Sequence, residues 1–589
     1  MMKRFLILFF LVISQVVLAQ SDYPLAENYY RNNEYEKALQ IYQKLVDKSP
    51  YNTTYIQRLV DCYQELNRFS SVDSLLTLKQ KKNKKLTFYN VLLGYNYERQ
   101  QQPEKAIKLY KKAIKSIDKN ANYGTTIANL LKNYNQLDLA IEAYNATAKK
   151  RPKSSYGFQI AQIYGEKGDF PKMFESYIDL VDKIPSRLKT VKRYTAQYIT
   201  DDSESEINIA FKKALLRKSA SNPKAIWNSL LSWLFVQQKE YNKALIQEKA
   251  LYARDADELA SIVNLGEIAF FNNDFETAQK SFEFILDKTN YPDEKVNAHL
   301  YLLKIAIKQE VPKIEDKFET VFSEFGKNEN TLPIQVEYAN YVTFVKNEPE
   351  NAQEILEEAM SYAKSKFQQA RIKLKLGDVL VFTGKFNQAL IYYTQIQSKL
   401  KSHPLAQQAR FKVAQTSYFK GDFAWAKAQL KVLKGSATQL IANDAVALFL
   451  TISDNEPKDS IPSGLKQIAQ SDLFSFQNKN AEALAVLEEV FVDFGGQPIE
   501  YEALFKKGKL LVKLKKYDEA ILTFAEVVAN DAEGIYNDDV YYEVAELFNK
   551  LNKPEKAQEY YQKIIFEHPS SIYLVDARKK FRKLRGDDI

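Results

Sequence analysis

One cysteine, Cys62, and three histidines are all that 589 residues offer in the way of soft ligands. A single thiol cannot close an intramolecular disulfide. Imidazoles as far apart as His299, His403 and His568 cannot form the clusters that zinc or iron sites need. Glycine and proline number only 17 each. That scarcity disfavours a β-rich fold with many tight hairpins, whose turns demand glycine. A phosphate-cradling glycine-rich loop with its lysine is missing, and so is a Gly-x-Ser-x-Gly elbow. Acidic pairs such as Asp201/Asp202 and Glu357/Glu358 are the ordinary furniture of solvated helix faces. The sequence therefore points to a protein without catalytic, cofactor or metal residues.

What is abundant is apolar and aromatic area. Hydrophobic residues make up 45% and charged residues 27%, with 38 Tyr and 35 Phe, so a large core can be buried. The net charge of +9 is small for the length. Basic runs such as Lys79 to Lys85 read as solvated helix ends, and nucleic acid is not an expected partner. A basic exported chain is also compatible with lying near anionic lipid head groups. At the start, Lys3 and Arg4 precede an apolar stretch from Phe5 to Leu18, and small or neutral residues lead to Ala19. That layout is a signal peptide over residues 1–19, with an apolar run too short to span a bilayer comfortably. Export without disulfides fits a periplasm, with secretion as the alternative.

The chain repeats itself. A small residue is followed twelve positions later by Ala and sixteen later by an aromatic: Gly94, Ala106 and Tyr110, or Gly377, Ala389 and Tyr393. Twelve such registers start at Ala26, Val60, Gly94, Ala128, Ala161, Ser232, Gly266, Gly377, Ala414, Ser471, Gly508 and Ala545. The first position is small in eleven, the twelfth on is Ala in ten, and the sixteenth on is aromatic in eight. Two antiparallel helices account for this. Small residues let the backbones approach where they cross, and the aromatic four after the Ala shares its face, filling space between units. Asn32-Asn33-Glu34-Tyr35, Lys167-Gly168-Asp169-Phe170, Asn272-Asn273-Asp274-Phe275 and Lys420-Gly421-Asp422-Phe423 read as turns with C-cap and N-cap signals. Pro50, Pro152, Pro185 and Pro569 stop second helices.

This ladder resembles the tetratricopeptide repeat family, which implies an all-α superhelical solenoid, here in two sub-arrays. The expected organisation is an array of 34-residue repeats over 20–185, a non-standard helical region at 186–222 and a central repeat pair at 223–289. A second non-standard region covers 290–335, repeat-like units cover 336–434, and a degenerate repeat or linker covers 435–465. A C-terminal array of 37-residue repeats fills 466–589. The last ninety residues, with Pro569-Ser570-Ser571 before Ala577-Arg578-Lys579-Lys580, are similar to the repeats of outer-membrane assembly and Tol-Pal coordinator proteins. No lipid-accepting cysteine follows the signal.

The resemblance implies function. In the family the first helix of each unit lines a concave wall, at positions six and three before the small residue and one and four or five after it. Carried over, these include Tyr30, Phe88, Tyr95, Arg99 and Phe158, then Trp233, Phe270 and Phe271, then Phe382, Phe411, Tyr418, Phe419 and Tyr542. Aromatic anchors on such a wall suit an extended segment or a helix of another protein. The set that clamps a chaperone's terminal carboxylate is not formed at Thr125, Asn129, Phe158 and Gln162. The reading is a non-enzymatic exported scaffold or adaptor for envelope proteins, such as outer-membrane assembly or secretion machinery. A chaperone-like holder of exported clients is the alternative, and an enzyme accessory or hydrolase in the non-repeat stretches 186–222 or 290–335 is the third; the number of copies per assembly is left open.

Overall fold

The computed structural model describes residues 22–152, 154–254, 259–435, 439–456, 463–530, 534 and 536–587. The expected signal at 1–19 and residues 457–462 of the expected linker fall outside these residues. Among the described residues thirty-two α-helices follow one another without a strand. The chain divides into two compact units, one ending at Gln238 and one running from Lys239 to Ile589.

Apart from the register at Ser232, whose two helices fall in different units, each register is a helical hairpin, an A helix carrying the small position and a B helix carrying the residues twelve and sixteen on. Tyr89–Arg99 with Pro103–Ser116 is typical. The turn is more regular than its residue types suggest. Seven residues after the small position, all twelve registers place a left-handed residue: Asn in six, Gly in three, Lys in two and Gln in one. Only Gly takes positive φ without cost, and Asn is the next most tolerant. That preference explains the recurrent Asn and Gly, and the packing of the hairpin overrides it at Gln101 and Lys515. Asp169, Asp274 and Asp422 then cap their B helices, accepting the amides of Lys172 (3.2 Å), Thr277 (3.0 Å) and Trp425 (3.3 Å). Glu34 makes no such cap.

The small position has a sharper purpose than letting backbones approach. A methyl group on Gly377 would lie 2.4 Å from the Tyr393 ring, on Gly508 2.5 Å from Phe524, and on Gly94 2.5 Å from Tyr110. The aromatic sixteen on therefore folds against the small residue of its own repeat, rather than only filling the gap to the next. All eight are buried to 1% exposure or less, as is the residue twelve on in all twelve registers.

The stretches outside the ladder are also helical. In 186–222 a short helix, Leu188–Thr195, is followed by Glu206–Ser221, which packs on Phe170–Lys183 through stacked Phe174 and Phe211, 4.5 Å apart. The acidic run before it is a capping loop. Ser205 accepts the Asn208 amide at 3.3 Å, and Asp202 accepts that of Glu204 at 3.0 Å. Residues 290–335 contain a hairpin, Pro292–Lys308 with Ile314–Phe325. The next, Leu332–Phe344 with Pro349–Tyr362, hides its register because its left-handed Asn347 comes eight residues after Ala339 rather than seven. Gln439–Asp454 stands as a single helix between hairpins, packed on Phe423–Leu433.

Unit 2 folds back on itself. The turn after Leu465–Phe476 meets the ends of two distant A helices. Gln477 donates to the carbonyl of Phe382 at 2.9 Å, and Asn478 donates to that of Phe344. Lys515, in the next turn, pairs with Glu310 at 3.1 Å. Turns 37 residues apart on one side, at Asn478 and Lys515, thus meet hairpins whose turns, at Gly384, Asn347 and Glu310, are also 37 residues apart on the other, running in the opposite chain direction.

Candidate peptide-binding grooves

On the inner faces most polar side chains are bound to one another. The residue after the small position is often acidic, and it receives two partners. In the first repeat Glu27 accepts Tyr42 Oη at 2.8 Å and a two-pronged bond from Arg58 of the next repeat at 2.8 and 3.1 Å. Asp378 repeats the scheme with Tyr393 (2.8 Å) and Lys412 (3.1 Å), and Glu546 with Tyr561 and Lys580 (2.7 Å for the lysine). The tyrosine comes from the same hairpin and the cation from the following A helix, so each triad latches neighbours together. Burial opposes the charge of Asp378, but Lys412 and Lys375 outweigh it and keep the carboxyl below its ordinary pKa.

In unit 1 the inner stripe continues through Tyr30, whose ring lies under the Arg58 guanidinium at 4.4 Å, to Tyr95, stacked on Tyr134 at 3.9 Å. Arg99 pairs with Glu65 at 2.7 Å. Asp61, one residue after Val60, is enclosed beneath Tyr134 and Arg58, with side-chain oxygens 3.5 and 3.6 Å from them. Burial pushes its pKa up to about 7, against the pull of Arg58. Phe88 is in the core, packed on Tyr89 and Tyr123. Phe158 lies between Tyr177 and Tyr194, and Trp233 lies edge-on to Phe211 at 6.3 Å.

In unit 2 the aromatics expected on a wall mostly meet each other. Phe344, Phe382, Phe419 and Phe476 each stand five residues after the small position of their repeats. Phe344 touches Phe382 (5.5 Å) and Phe476 (5.3 Å), and Phe476 touches Phe419 (5.8 Å). Phe382 (7% exposed) and Tyr418 (1%) are core residues, and Tyr418 Oη is bound to Asp472 at 2.8 Å. The fold-back that covers them joins residues a hundred or so apart, which an offset rule within one repeat cannot see. Phe411 packs against the core around Ala414. Tyr542 is stacked under Tyr573 at 4.3 Å, beside the C-terminal helix Leu574–Arg585, and bonds Asp576 and Lys580. Phe270 is wedged among Phe275 and Tyr301, whereas its neighbour Phe271 is 67% exposed.

Among the described residues, two open grooves lie on the inner face of unit 2. The larger, about 1040 Å³, runs along the A helices Leu465–Phe476 and Ile499–Lys513 toward Asp539. The single helix Gln439–Asp454 forms its far wall with Leu450 and Thr451. Phe505 stacks on Tyr536 at 5.1 Å, and Tyr536 donates to Glu502 at 2.6 Å. Lys506 spans Asp472 (3.0 Å) and Glu502 (3.3 Å). Burial works against its charge, but the two carboxylates hold its pKa above the ordinary lysine range. Lys513 meets neutral acceptors, the Ser475 carbonyl and Asn478 Oδ1, each at 3.1 Å, and desolvation lowers its pKa. The second groove, about 650 Å³, lies along Pro292–Lys308, Leu332–Phe344 and Lys366–Phe382, and is lined by Lys304, Glu337, Arg371 and Lys375. The offsets that selected Tyr30 or Tyr95, applied at Gly508 and Ser471, point to Glu502, Phe505, Lys509, Lys513, Asp472 and Ser475. These line the larger groove and were missed only because that rule was not carried to those two repeats. Among the described residues no group of His, Cys, Asp and Glu is placed to hold a metal ion, and no helix is long and apolar enough to cross a membrane.

Family models described as tetratricopeptide repeats match residues 21–50, 89–120, 468–535 and 539–571. No curated protein matches the chain. Among solved structures, the Cut9–Hcn1 hetero-tetramer of the APC/C is similar at 14% identity, covering 97% of this chain and 98% of that one, with a TM-score of 0.28. Naa15/Naa10 bound to HypK is similar at 12% identity, covering 96% of each chain, with a TM-score of 0.27. The type IV pilus biogenesis factor PilW is similar at 14% identity over 41% of this chain and 95% of its own, with a TM-score of 0.26.

Proposed function

We propose that this chain, a tetratricopeptide-repeat protein, is a non-catalytic scaffold that grips segments of partner proteins along the A-helix faces of unit 2. Repeats of this kind bind other proteins. The observation that carries the finer reading is the 1040 Å³ groove. It joins apolar and aromatic side chains, Leu450, Tyr501 and Phe505, to a row of lysines and carboxylates, on a frame that Asp472, Glu502 and Lys506 hold rigid. Its length along several helices suits an extended strand or a helix rather than a compact small molecule. The pattern of residues 1–19 supports export, and with it partners in the cell envelope.

The test is photo-crosslinking in intact cells. A photoreactive residue at Leu450, on the groove wall and 46% exposed, is compared with one at Leu522, 67% exposed and outside the groove lining. One or a few discrete adducts from 450 and none of these from 522 support the scaffold. A smear of many adducts from 450 favours a holder of clients. Equal labelling at both positions, or none at 450, removes the groove from the account. Processing between Ala19 and Gln20 and recovery in the envelope fraction check the export reading separately.

A further inference from the structure

The two units carry opposite charge. Residues 22–238 contain 35 Lys and Arg against 22 Asp and Glu, whereas residues 239–589 contain 46 against 52. In unit 1 much of the excess sits on one edge, where successive B helices end. Helix Phe69–Lys82 finishes with Lys81 and Lys82 and runs into Lys84 and Lys85. Helix Pro103–Ser116 presents Lys111, Lys112 and Lys115, and helix Leu137–Lys150 ends at Lys149 and Lys150. These ends are neighbours. Lys79 donates to the carbonyl of Pro50 in the preceding turn at 2.7 Å, Lys150 lies 3.6 Å from Asp118, and Arg151 donates to Asn122.

Lysines suit a helix C-terminus on dipole grounds alone, so their presence is not the argument. The argument is their excess and their company. Lys81, Lys82, Lys84 and Lys85 are exposed, and no described carboxylate lies within ion-pair distance of them; the same holds for Lys111, Lys112 and Lys115. Amid them stand two large apolar side chains turned to solvent, Tyr51 at 66% and Leu78 at 54% exposure. Tyr51 follows the Pro50 that Lys79 holds, and Leu78 precedes that lysine, so the two flank one contact.

We propose that this edge of unit 1 docks on an anionic lipid surface, the lysines facing head groups and Tyr51 and Leu78 entering the interface. Flexible point charges around an amphipathic ring and an aliphatic chain match a diffuse layer of phosphates over hydrocarbon. A duplex nucleic acid would favour arginine forks and would leave Leu78 without a use. The proposal is independent of the groove in unit 2.

The experiment uses the full chain and sedimentation with vesicles of 30% phosphatidylglycerol in phosphatidylcholine. Binding is expected at low salt, fading as salt is raised, and absent with pure phosphatidylcholine. Changing Lys81, Lys82, Lys84 and Lys85 together to Gln should lower the partition coefficient by up to roughly a thousandfold with helicity unchanged. A Tyr51→Trp variant should show a blue-shifted emission difference from the parent on adding the anionic vesicles. The proposal fails if the chain ignores anionic vesicles, if the Gln variant binds as the parent does, or if the indole introduced by Tyr51→Trp stays in water. It also fails if the same lysines bind duplex DNA more tightly than vesicles.

Discussion

Adding one methyl group at Gly377 tests the packing rule that defines the repeat. The Cβ of Gly377→Ala would lie 2.4, 2.6 and 3.0 Å from three atoms of the Tyr393 ring. Ordinary contacts need at least 3.4 Å, so the ring or the helix must move by close to an ångström. The ring is not free to do so. Its hydroxyl is bonded to Asp378 at 2.8 Å, and Asp378 also holds Lys412 at 3.1 Å and Lys375 at 3.4 Å. Overpacking of this kind costs about 1–3 kcal/mol, and stretching a buried bond to a carboxylate adds about another 1 kcal/mol. Alanine does occupy the same place in front of Tyr42, Tyr144, Tyr177 and Tyr561, so a helix can be built slightly further away; the cost here comes from a backbone already set close. Gly266 supplies the comparison, because its Cβ would lie 3.0 Å from Phe282, a ring without a hydroxyl tether. Hydrogen exchange on the full chain reads the opening free energy of each hairpin locally, which suits a repeat array better than one global midpoint. The expected order is a loss of about 2–4 kcal/mol at Gly377→Ala and about 1 kcal/mol or less at Gly266→Ala. Equal losses, or none at Gly377, would refute the assignment of ring to glycine.

Asp61 should make unit 1 more stable as pH falls. Its pKa is raised to about 7 in the folded chain, so the folded state binds a proton that the unfolded chain releases. Stability is then lowest above about pH 7 and rises toward pH 4, by as much as roughly 4 kcal/mol. Asp61→Asn should raise stability at pH 8 and flatten this slope in urea titrations, and an unchanged slope would count against it. Removing one latch partner with Asp378→Ala leaves Tyr393, Lys375 and Lys412 without their common acceptor, and a loss of about 3–5 kcal/mol is expected in exchange from Lys366–Phe382. Phe476→Ala removes the ring between Phe344 and Phe419 and should loosen the fold-back of unit 2 by about 3 kcal/mol. X-ray scattering should then show an expanded chain, while an unaltered profile would deny the contact its role. Lys515→Glu at the pair with Glu310, both more than 60% exposed, should change stability by less than about 1 kcal/mol.

Spacing alone determined the hairpins. A small residue, an Ala twelve on and an aromatic sixteen on describe contacts made inside one unit, and local contacts leave a local record in the chain. The hairpin at Ala339 escaped because one extra turn residue shifted the count, and that of 292–325 because its turn holds two left-handed residues, Glu310 and Lys313. The inner faces were half legible. Offsets within a repeat picked the correct helix side, and extended to Gly508 and Ser471 they reach the groove. What only the tertiary structure decided is which of those side chains stay free. Whether Phe344 and Phe382 face a partner or other rings depends on how small twists between hairpins accumulate until Phe476, 132 residues beyond Phe344, returns to meet Phe344. Such twist belongs to no single residue, so the same aromatic at the same offset is buried at Phe382 and open at Phe271.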